Sequence, residues 1–193
     1  MIIDISQEVF SCKVYPGDPE PTLHELQNIE DGELYKLSAF TMCEHNGTHV
    51  DAPAHFLKDG KQIHQIGLDS FVGECYVARH QGEVTEEDAR TILLKAEQAR
   101  AKERILLAGN LVVTAEAAAV FAKANIKLLG NESQSVGPEE APMAVHLILL
   151  KADIVLLEGI VLNDVEEGKY FLSAAPLNLS TCEGAPCRAY LIK

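Results

Sequence analysis

Segments that favour helices alternate with segments that favour strands through the middle of the chain, and this alternation constrains the fold most strongly. Helices are predicted over residues 85–101, 115–124 and 138–152, where capping residues and alanine-rich or apolar runs occur. Short apolar runs between and beside them predict strands over residues 71–78, 104–107, 126–129 and 154–157. Such alternation is typical of α/β proteins, in which neighbouring strands run parallel.

The two ends of the chain add further predicted strands, over residues 1–5, 34–42, 170–179 and 188–192. These ends favour sheet that is partly antiparallel, so the sheet as a whole is expected to be mixed. The 193 residues contain no repeat, low-complexity segment or linker, and their number is typical of one domain. We therefore expect residues 1–193 to form a single α/β domain.

The charge of the chain limits its partners. It has 16 Lys and Arg residues and 29 Asp and Glu residues, which gives a formal net charge of −13. Nucleic-acid duplexes and anionic membranes bind basic surfaces, so neither is an expected partner. Residues 1–34 hold eight acids and one lysine among apolar residues, which predicts a solvated surface and not a disordered tail.

The amino-terminal segment and the cysteines indicate the compartment. The chain begins without the basic and long apolar segments of a signal peptide, and its most apolar runs are too short to span a bilayer. Five cysteines, an odd number without a CxxC pair, predict reduced thiols. These features predict a soluble, cytoplasmic protein.

Three of the seven histidines lie within one eleven-residue segment, His45-Asn46-Gly47-Thr48-His49-Val50-Asp51-Ala52-Pro53-Ala54-His55. Clustered histidine and aspartate with small residues between them is the pattern of a metal site with nitrogen and oxygen ligands. Gly47 and Pro53 disfavour a helix, so the segment is expected to be extended or looped.

The spacing of these ligand-type residues has a geometric meaning. In an extended chain, residues two apart share a face, so His49 and Asp51 should point the same way. Bends at the glycine and the proline allow His45 and His55 to reach the same place. The segment therefore predicts a functional site that binds metal or transfers protons.

Two further candidates lie far along the chain, and the residues alone leave both of them open. Glu158 follows the predicted strand 154–157, and open α/β sheets place their sites at such strand ends. A buried carboxylate needs a partner or a metal, but Glu158 could equally be a solvated strand end. His146 lies among apolar residues of the third predicted helix, where a core histidine is the more usual interpretation.

The pattern His45-x-Gly47-Thr48-His49-x-Asp51-x-Pro53-x-His55 resembles the HxGTHxDxPxH signature of the cyclase-like metal-dependent hydrolases. This family includes bacterial kynurenine formamidases (arylformamidases) and isatin hydrolases. The resemblance covers essentially the whole chain, because a Tyr15-Pro16-Gly17-Asp18 turn, a loop over 130–138, a His146…Glu158 pair and a tail over 184–189 follow in family order. It implies a swivelling β/β/α architecture with a mixed sheet, and a homodimer or larger homo-oligomer.

The resemblance also implies roles for individual residues. It implies five metal ligands, with His45 and His49 on a first ion, His146 on a second, and Asp51 and Glu158 bridging both. His55 would be the catalytic proton donor and acceptor. Two divalent ions are thus expected; imidazole and carboxylate ligands favour zinc and also accept manganese.

The implied activity is hydrolysis of an amide C–N bond in a small molecule, either an N-formyl arylamine such as N-formylkynurenine or a cyclic amide. A metal-activated hydroxide would attack the carbonyl, and His55 would protonate the leaving nitrogen. Two alternatives stay open: a metal-assisted lyase or dehydratase on the same scaffold, and a non-catalytic metal-binding relative.

Two features of this chain depart from the family pattern. Tyr15 occupies the position of a substrate-stacking tryptophan, and the chain has no tryptophan. Tyr15 could line the substrate pocket or pack against its own turn. The stretch between Leu107 and Thr114 is also shorter than in many relatives. These departures leave the physiological substrate open and do not touch the expected metal ligands.

Overall fold

One large mixed sheet organises the chain. The computed structural model describes residues 1–138 and 140–193. Within these residues the strands are β1 (Ile2–Asp4), β2 (Thr22–Gln27), β3 (Leu37–Thr41), β4 (His49–Asp51), β5 (Val72–Arg79), β6 (Gly82–Val84), β7 (Arg104–Ala108), β8 (Leu111–Val113), β9 (Leu128–Asn131), β10 (Val155–Glu158), β11 (Gly168–Ser173), β12 (Gly184–Pro186) and β13 (Tyr190–Ile192). The helices are α1 (Glu86–Gln98), α2 (Ala115–Lys123) and α3 (Met143–Lys151).

Parallel strands form the centre of the sheet, and antiparallel strands extend it on both sides. In the described part of the chain, nine strands follow the order β1-β13-β11-β5-β7-β9-β10-β4-β12. The central strands β5, β7, β9 and β10 pair in parallel. All pairs outside them are antiparallel. This order confirms the predicted α/β class with a mixed sheet.

Both faces of the sheet are covered, so alternate residues of a central strand enter different cores. Leu107 of β7 belongs to the core on the helix side, together with Phe121 and Leu149. Leu106, its neighbour in sequence, belongs to the core on the opposite face, together with Leu172. The central strands are therefore apolar almost throughout, as expected of parallel strands with both faces covered.

The ends of the first two helices follow the signals in the sequence. The Thr85 hydroxyl accepts a hydrogen bond from the Asp88 N–H at 3.3 Å, and the Asp88 carboxylate accepts one from the Thr85 N–H at 2.9 Å. At the start of α2, the Thr114 hydroxyl accepts from the Ala117 N–H at 3.2 Å. Asn125 follows α2 in the left-handed region, with φ of 54°. These contacts confirm the predicted caps.

The third helix begins later than the sequence predicts. The prediction of a start at residue 138 is wrong, since α3 begins at Met143 with Pro142 as its N-cap; residue 139 lies outside the described residues. Proline disfavours helical backbone in the residue before it, which explains the late start. His146 nevertheless lies in the first turn, where its N–H donates to the Pro142 carbonyl at 3.3 Å.

Three strands are confirmed with ends that differ from the prediction. β9 begins at Leu128 and not at residue 126, and β13 begins at Tyr190 and not at residue 188. β11 ends at Ser173, well before residue 179. Pro176 has no N–H to donate to a neighbouring strand, which is consistent with the early end of β11.

β2 and β3 form a separate antiparallel hairpin, of which the sequence predicts only β3. All residues of β3, and all of β2 except its last, are exposed. Neither strand therefore has the buried face whose alternation identifies a strand in a sequence. Leu23 pairs directly with Phe40, and these two residues are 58% and 57% exposed. The hairpin thus exposes two large apolar side chains next to each other on one of its faces.

Two of the predictions from the sequence concern membrane-spanning helices and disulfide bonds. None of the helices in residues 1–138 and 140–193 is long and apolar enough to cross a membrane. The five cysteines are free thiols.

We expect Leu106→Ala to lower the free energy of unfolding by about 2–5 kcal/mol, because it opens a cavity beside fully buried neighbours. Urea denaturation measures this change. Leu94→Ala is the matched control, because Leu94 is 60% exposed and its truncation should cost less than about 0.5 kcal/mol. Equal costs for the two variants would contradict the burial of Leu106 in this core.

Candidate metal centre

The short strand β4 lies between β10 and β12 and carries two of the predicted ligands. His49 pairs directly with Glu158 of β10, so their side chains project from the same face of the sheet. Asp51 lies two residues beyond His49 and shares that face, as the sequence predicts. All three residues are buried, with exposures of only 1–2%. The strand pairing therefore places an imidazole and two carboxylates together.

His45 reaches these residues by a turn that depends on glycine. Gly47 has φ of 65°, a left-handed conformation that reverses the chain before β4. The turn brings His45 Nδ1 to 2.8 Å from Asp51 Oδ1. On the other side of the ring, a Cβ on Gly184 would lie 2.8 Å from His45 Cε1. Gly47 thus allows the turn, and the missing side chain of Gly184 leaves room for the ring.

His55 and His146 complete the cluster from two other elements. His55 ends a turn of 3-10 helix, Pro53–His55, and its Nε2 lies 3.9 Å from Asp51 Oδ2. His146 on α3 has its Nε2 at 3.8 Å from Asp51 Oδ2 and 3.6 Å from Glu158 Oε1. The structure therefore brings all five predicted ligands and the predicted catalytic histidine together around Asp51.

A cavity of about 250 Å³ opens onto this cluster. All four of these histidines line it, together with Glu158, Phe56 and Tyr15. Tyr15 begins a turn in which the Asp18 N–H donates to the Tyr15 carbonyl at 3.0 Å and Gly17 has φ of 100°. This turn places both Tyr15 and Asp18 at the cavity wall, so Tyr15 lies where the sequence predicts.

Backbone carbonyls orient two of the imidazoles. His49 Nδ1 lies 3.0 Å from the Gly47 carbonyl oxygen, and His146 Nδ1 lies 2.8 Å from the Pro142 carbonyl oxygen. Because a carbonyl oxygen only accepts, each Nδ1 carries a hydrogen, and each Nε2 is the ring nitrogen that faces the carboxylates and is left to bind a metal ion.

The donor atoms fit a divalent metal ion. His49 Nε2 and Asp51 Oδ2 are buried without a hydrogen-bond partner among the described residues. Buried polar atoms of this kind are rare unless a ligand satisfies them. Potential ligand atoms of His49, Asp51 and Glu158 lie within 4.8 Å of one another. Such a set of imidazole nitrogens and carboxylate oxygens suits zinc or manganese.

The carboxylates change the acid–base properties of three imidazoles. Burial lowers the pKa of His45, but the hydrogen bond to Asp51 and the nearby carboxylates outweigh burial and raise this pKa to about 9. Burial likewise opposes the carboxylate interactions at His49 and His146, yet the net pKa of each is raised. Burial alone would raise the pKa of Asp51, but the interactions with the neighbouring imidazoles outweigh burial. The net pKa of Asp51 is lowered, so this carboxyl stays ionised. Without metal, the cluster therefore holds extra protons.

His55 differs from the other three histidines. Its pKa is lowered, first by burial and also by the neighbouring imidazoles of His45 and His146, although Asp51 acts in the opposite direction. Its side chain is 27% exposed, more than those of His45, His49 and His146. His55 therefore presents a neutral imidazole at the cavity, in contact with solvent.

Phe56 supports the site in a way that sequence reasoning missed. Its ring stacks on His146, with centroids 4.6 Å apart and an interplanar angle of 24°. The same ring meets His55 edge-on at 4.6 Å. The only signal in the sequence is its position directly after His55. Phe56 therefore restrains the ring planes of two imidazoles in the cluster.

A hydrogen-bond network at the cavity wall was also not predicted. Gln134 Nε2 donates to the Gly47 carbonyl at 3.1 Å, the same oxygen that accepts from His49. Gln7 Nε2 donates to Gln134 Oε1 at 3.0 Å and to the Gly159 carbonyl at 2.8 Å. Pairing of this kind depends on long-range contacts that spacing does not encode. The network ties the amino-terminal segment to the loop that carries the predicted ligands.

Known proteins resemble this chain over nearly its whole length. The family described as Putative cyclase matches residues 3–138. The kynurenine formamidase of Erythrobacter litoralis is 33% identical, over 98% of this chain and 93% of that protein. A predicted metal-dependent hydrolase from Bacillus stearothermophilus has a similar structure, with a TM-score of 0.81 and 26% identity over 99% of this chain and 97% of its own. Isatin hydrolase A from Labrenzia aggregata, bound to benzyl benzoate, shares the fold, with a TM-score of 0.83 and 22% identity over 99% of this chain and 93% of its own.

We expect the metal-free protein to lose stability as the pH rises from about 6.5 towards 9. The folded pKa of His45, about 9, lies above its ordinary 6.5. Its contribution is therefore complete below pH 6.5 and is lost as the pH rises through the folded value. The raised pKa values of His49 and His146 act in the same direction. The lowered pKa of His55 acts only below pH 6.5.

Urea denaturation in the presence of a chelator measures this dependence. The range should end near pH 7.5, about one unit below the pKa of cysteine thiols in an unfolded chain, because ionisation of those thiols would also lower the stability. His45→Gln should show a shallower fall of the free energy of unfolding than the unsubstituted chain. A free energy that stays constant or rises over this range would contradict the raised imidazole pKa values.

Proposed function

Because the chain belongs to the cyclase family, we propose that it is a metal-dependent hydrolase that cleaves a non-peptide amide C–N bond in a small molecule. The observation that carries this proposal is the convergence of His45, His49, His146 and Glu158 around Asp51 at one cavity. The relative of Erythrobacter litoralis, a kynurenine formamidase, supports a formyl amide as the bond that is cleaved.

The ligand assignment is part of the proposal. His45 and His49 bind one ion, His146 binds a second, and Asp51 and Glu158 lie between the two groups. The unpartnered buried atoms and the distances of 3.4–3.8 Å from His49 and His146 to the carboxylates support this assignment. Zinc is our first choice and manganese the second, with two ions per chain. Divalent ions bound here would polarise the substrate carbonyl and supply an activated water.

His55 is assigned the proton transfer. An amine is a poor leaving group, so its nitrogen must gain a proton as the C–N bond breaks. His55 lies at the cavity wall, and its lowered pKa keeps Nε2 able to take up a proton and pass it on. Asp51 Oδ2, at 3.9 Å from this nitrogen, favours the protonated ring during transfer. His55 therefore acts as general base and then as general acid.

The shape of the cavity supports a small aromatic or cyclic amide. Its volume of about 250 Å³ is small, and Tyr15 and Phe56 supply aromatic surface at its wall. Tyr15 would contact the substrate ring there. An N-formyl arylamine or a cyclic amide matches this combination of size and apolar surface. We further propose that residues 1–193 act as one unit in the cytoplasm, with the ligands coming from widely separated segments.

Two variants test the assigned roles against each other. We expect His55→Ala to keep its metal and to lose about 10²–10⁴-fold in turnover, because only the proton transfer is removed. Asp51→Ala should lose metal as well as turnover, because it removes an oxygen shared by the whole cluster. Metal analysis of the purified protein and turnover of formanilide, N-formylkynurenine and isatin measure these effects.

The control is His64→Ala, which removes an exposed histidine outside the cavity and should leave metal content and turnover unchanged. A fully active His55→Ala variant would contradict the assigned proton transfer. Wild-type protein that holds metal but releases no amine and acid from any of these amides would favour a lyase or a non-catalytic metal-binding protein.

We propose that the protein is a homodimer or a larger homo-oligomer in which the β2–β3 hairpin contacts another copy. The exposed pair Leu23 and Phe40 supports this, and Phe10 packs edge-on against Phe40 at 6.3 Å. Phe10 and Phe40 also line a cavity of about 700 Å³ whose wall is mostly apolar and lies apart from the proposed metal ligands. Apolar surface of this extent on a soluble protein favours association.

Phe40→Glu should weaken the association of the chains, because it places a charge in the apolar contact. Sedimentation velocity over a range of protein concentrations measures the change. Ala39→Glu is the matched control, because it adds the same charge to the opposite face of the same exposed strand. Unsubstituted protein that sediments as a monomer at all concentrations would contradict the proposal.

A further inference from the structure

The two nitrogens of His45 have different surroundings. Nδ1 faces the metal cluster, at 2.8 Å from Asp51 Oδ1. Nε2 points to the other side of the ring, where it is buried and has no hydrogen-bond partner within residues 1–138 and 140–193. A buried ring nitrogen without a partner costs free energy, so this position invites an acceptor or a donor.

A carboxylate lies on that side of the ring. Glu183 precedes β12, and its Oε1 is 3.8 Å from His45 Nε2. The backbone carbonyl of Glu183 accepts from the Ala52 N–H at 2.8 Å, which anchors the residue beside the ligand strand. The following Gly184 lets the imidazole ring approach the strand. A small movement of a side chain that is 45% exposed would close the remaining gap.

A second carboxylate nearby has a different contact. Glu44 Oε2 accepts a hydrogen bond from the Gly184 N–H at 3.2 Å. Ligand atoms of Glu44, His45 and Glu183 nevertheless lie within 4.8 Å of one another. Glu44 thus holds the start of β12, and Glu183 is the carboxylate paired with the ring nitrogen.

A histidine that binds metal through one nitrogen keeps its hydrogen on the other, and a partner for that hydrogen fixes the ring. His49 and His146 use backbone carbonyls for this purpose, at Nδ1. His45 has the reverse orientation, with Nδ1 towards the cluster and Nε2 towards Glu183. A carboxylate partner also makes the imidazole a stronger ligand than a carbonyl does.

We propose that Glu183 is a positioning residue for His45, whose Nε2–H it accepts in the metal-bound protein so that Nδ1 is presented to the metal. The proposal rests on the metal centre described under the proposed function. Of the three histidine ligands, only His45 then has a side chain as the partner of its second ring nitrogen. A substitution can therefore change the metal affinity through His45 without altering the backbone.

Nuclear magnetic resonance of the zinc-loaded protein tests the orientation. In ¹H–¹⁵N spectra of the imidazole rings, we expect His45 as the Nε2–H tautomer and both His49 and His146 as Nδ1–H tautomers. In Glu183→Gln, the His45 Nε2 proton should move upfield, because the charged acceptor is lost. A change in folding alone would not move this one proton selectively.

Competition with a chromophoric chelator measures the zinc affinity of the same proteins. Glu183→Gln should bind zinc about 10–100-fold more weakly. Asp18→Asn is the matched control, because it removes an equal charge from the wall of the cavity at the metal centre and should have a much smaller effect. Chelator-treated Glu183→Gln should unfold in urea like the chelator-treated wild type.

The outcomes separate this proposal from the proposed function. Zinc binding with His45 as the Nδ1–H tautomer would overturn the role of Glu183 and leave the metal centre intact. Equal losses of zinc affinity in Glu183→Gln and Asp18→Asn would also overturn it, because the effect would then be general charge. Wild-type protein that binds no zinc and no manganese would overturn both.

Discussion

Asp51 and Glu158 are buried almost completely, and much of the surrounding structure compensates for the burial of these charges. A carboxylate in an apolar interior is very unfavourable unless charged or hydrogen-bonded partners surround it. Here three imidazoles with raised pKa values supply those partners. In addition, Glu158 Oε1 accepts from the Val136 N–H at 2.7 Å. The same groups that make the carboxylates tolerable in the metal-free chain are the ones that suit a metal ion.

The sheet provides the frame for this balance. Parallel strands bring the end of β10 to the edge where open α/β sheets place their sites. β4 then runs antiparallel beside β10 and opposes His49 to Glu158. α3 packs against the same face of the sheet and contributes His146. The catalytic chemistry of the proposed hydrolase therefore depends on the pairing of β10 with β4, where the parallel part of the sheet meets the antiparallel part.

Much of this arrangement could be predicted from the sequence, because local signals determine it. The caps of α1 and α2, the apolar central strands and the shared face of His49 and Asp51 follow from residues close in sequence. The exposed strands β2 and β3 both lack a buried face, and of the two the sequence predicts only β3. Phe56 and Gln134 support the site through contacts that only the tertiary fold creates. His146 and Glu158 were ambiguous from residues alone for the same reason, and only the family resemblance indicated them.

The pairing of β4 on both sides has a consequence for how the site can form. The strand has three residues, and its register is set by β10 and by β12 together. A slip of one residue against either neighbour would turn His49 and Asp51 to the opposite face of the sheet. His49 and Asp51 therefore reach the cluster together, because no register of β4 places one of them on that face without the other. These two donors are gained or lost as a pair, so a measurement of metal affinity also tests whether β4 has the register seen here.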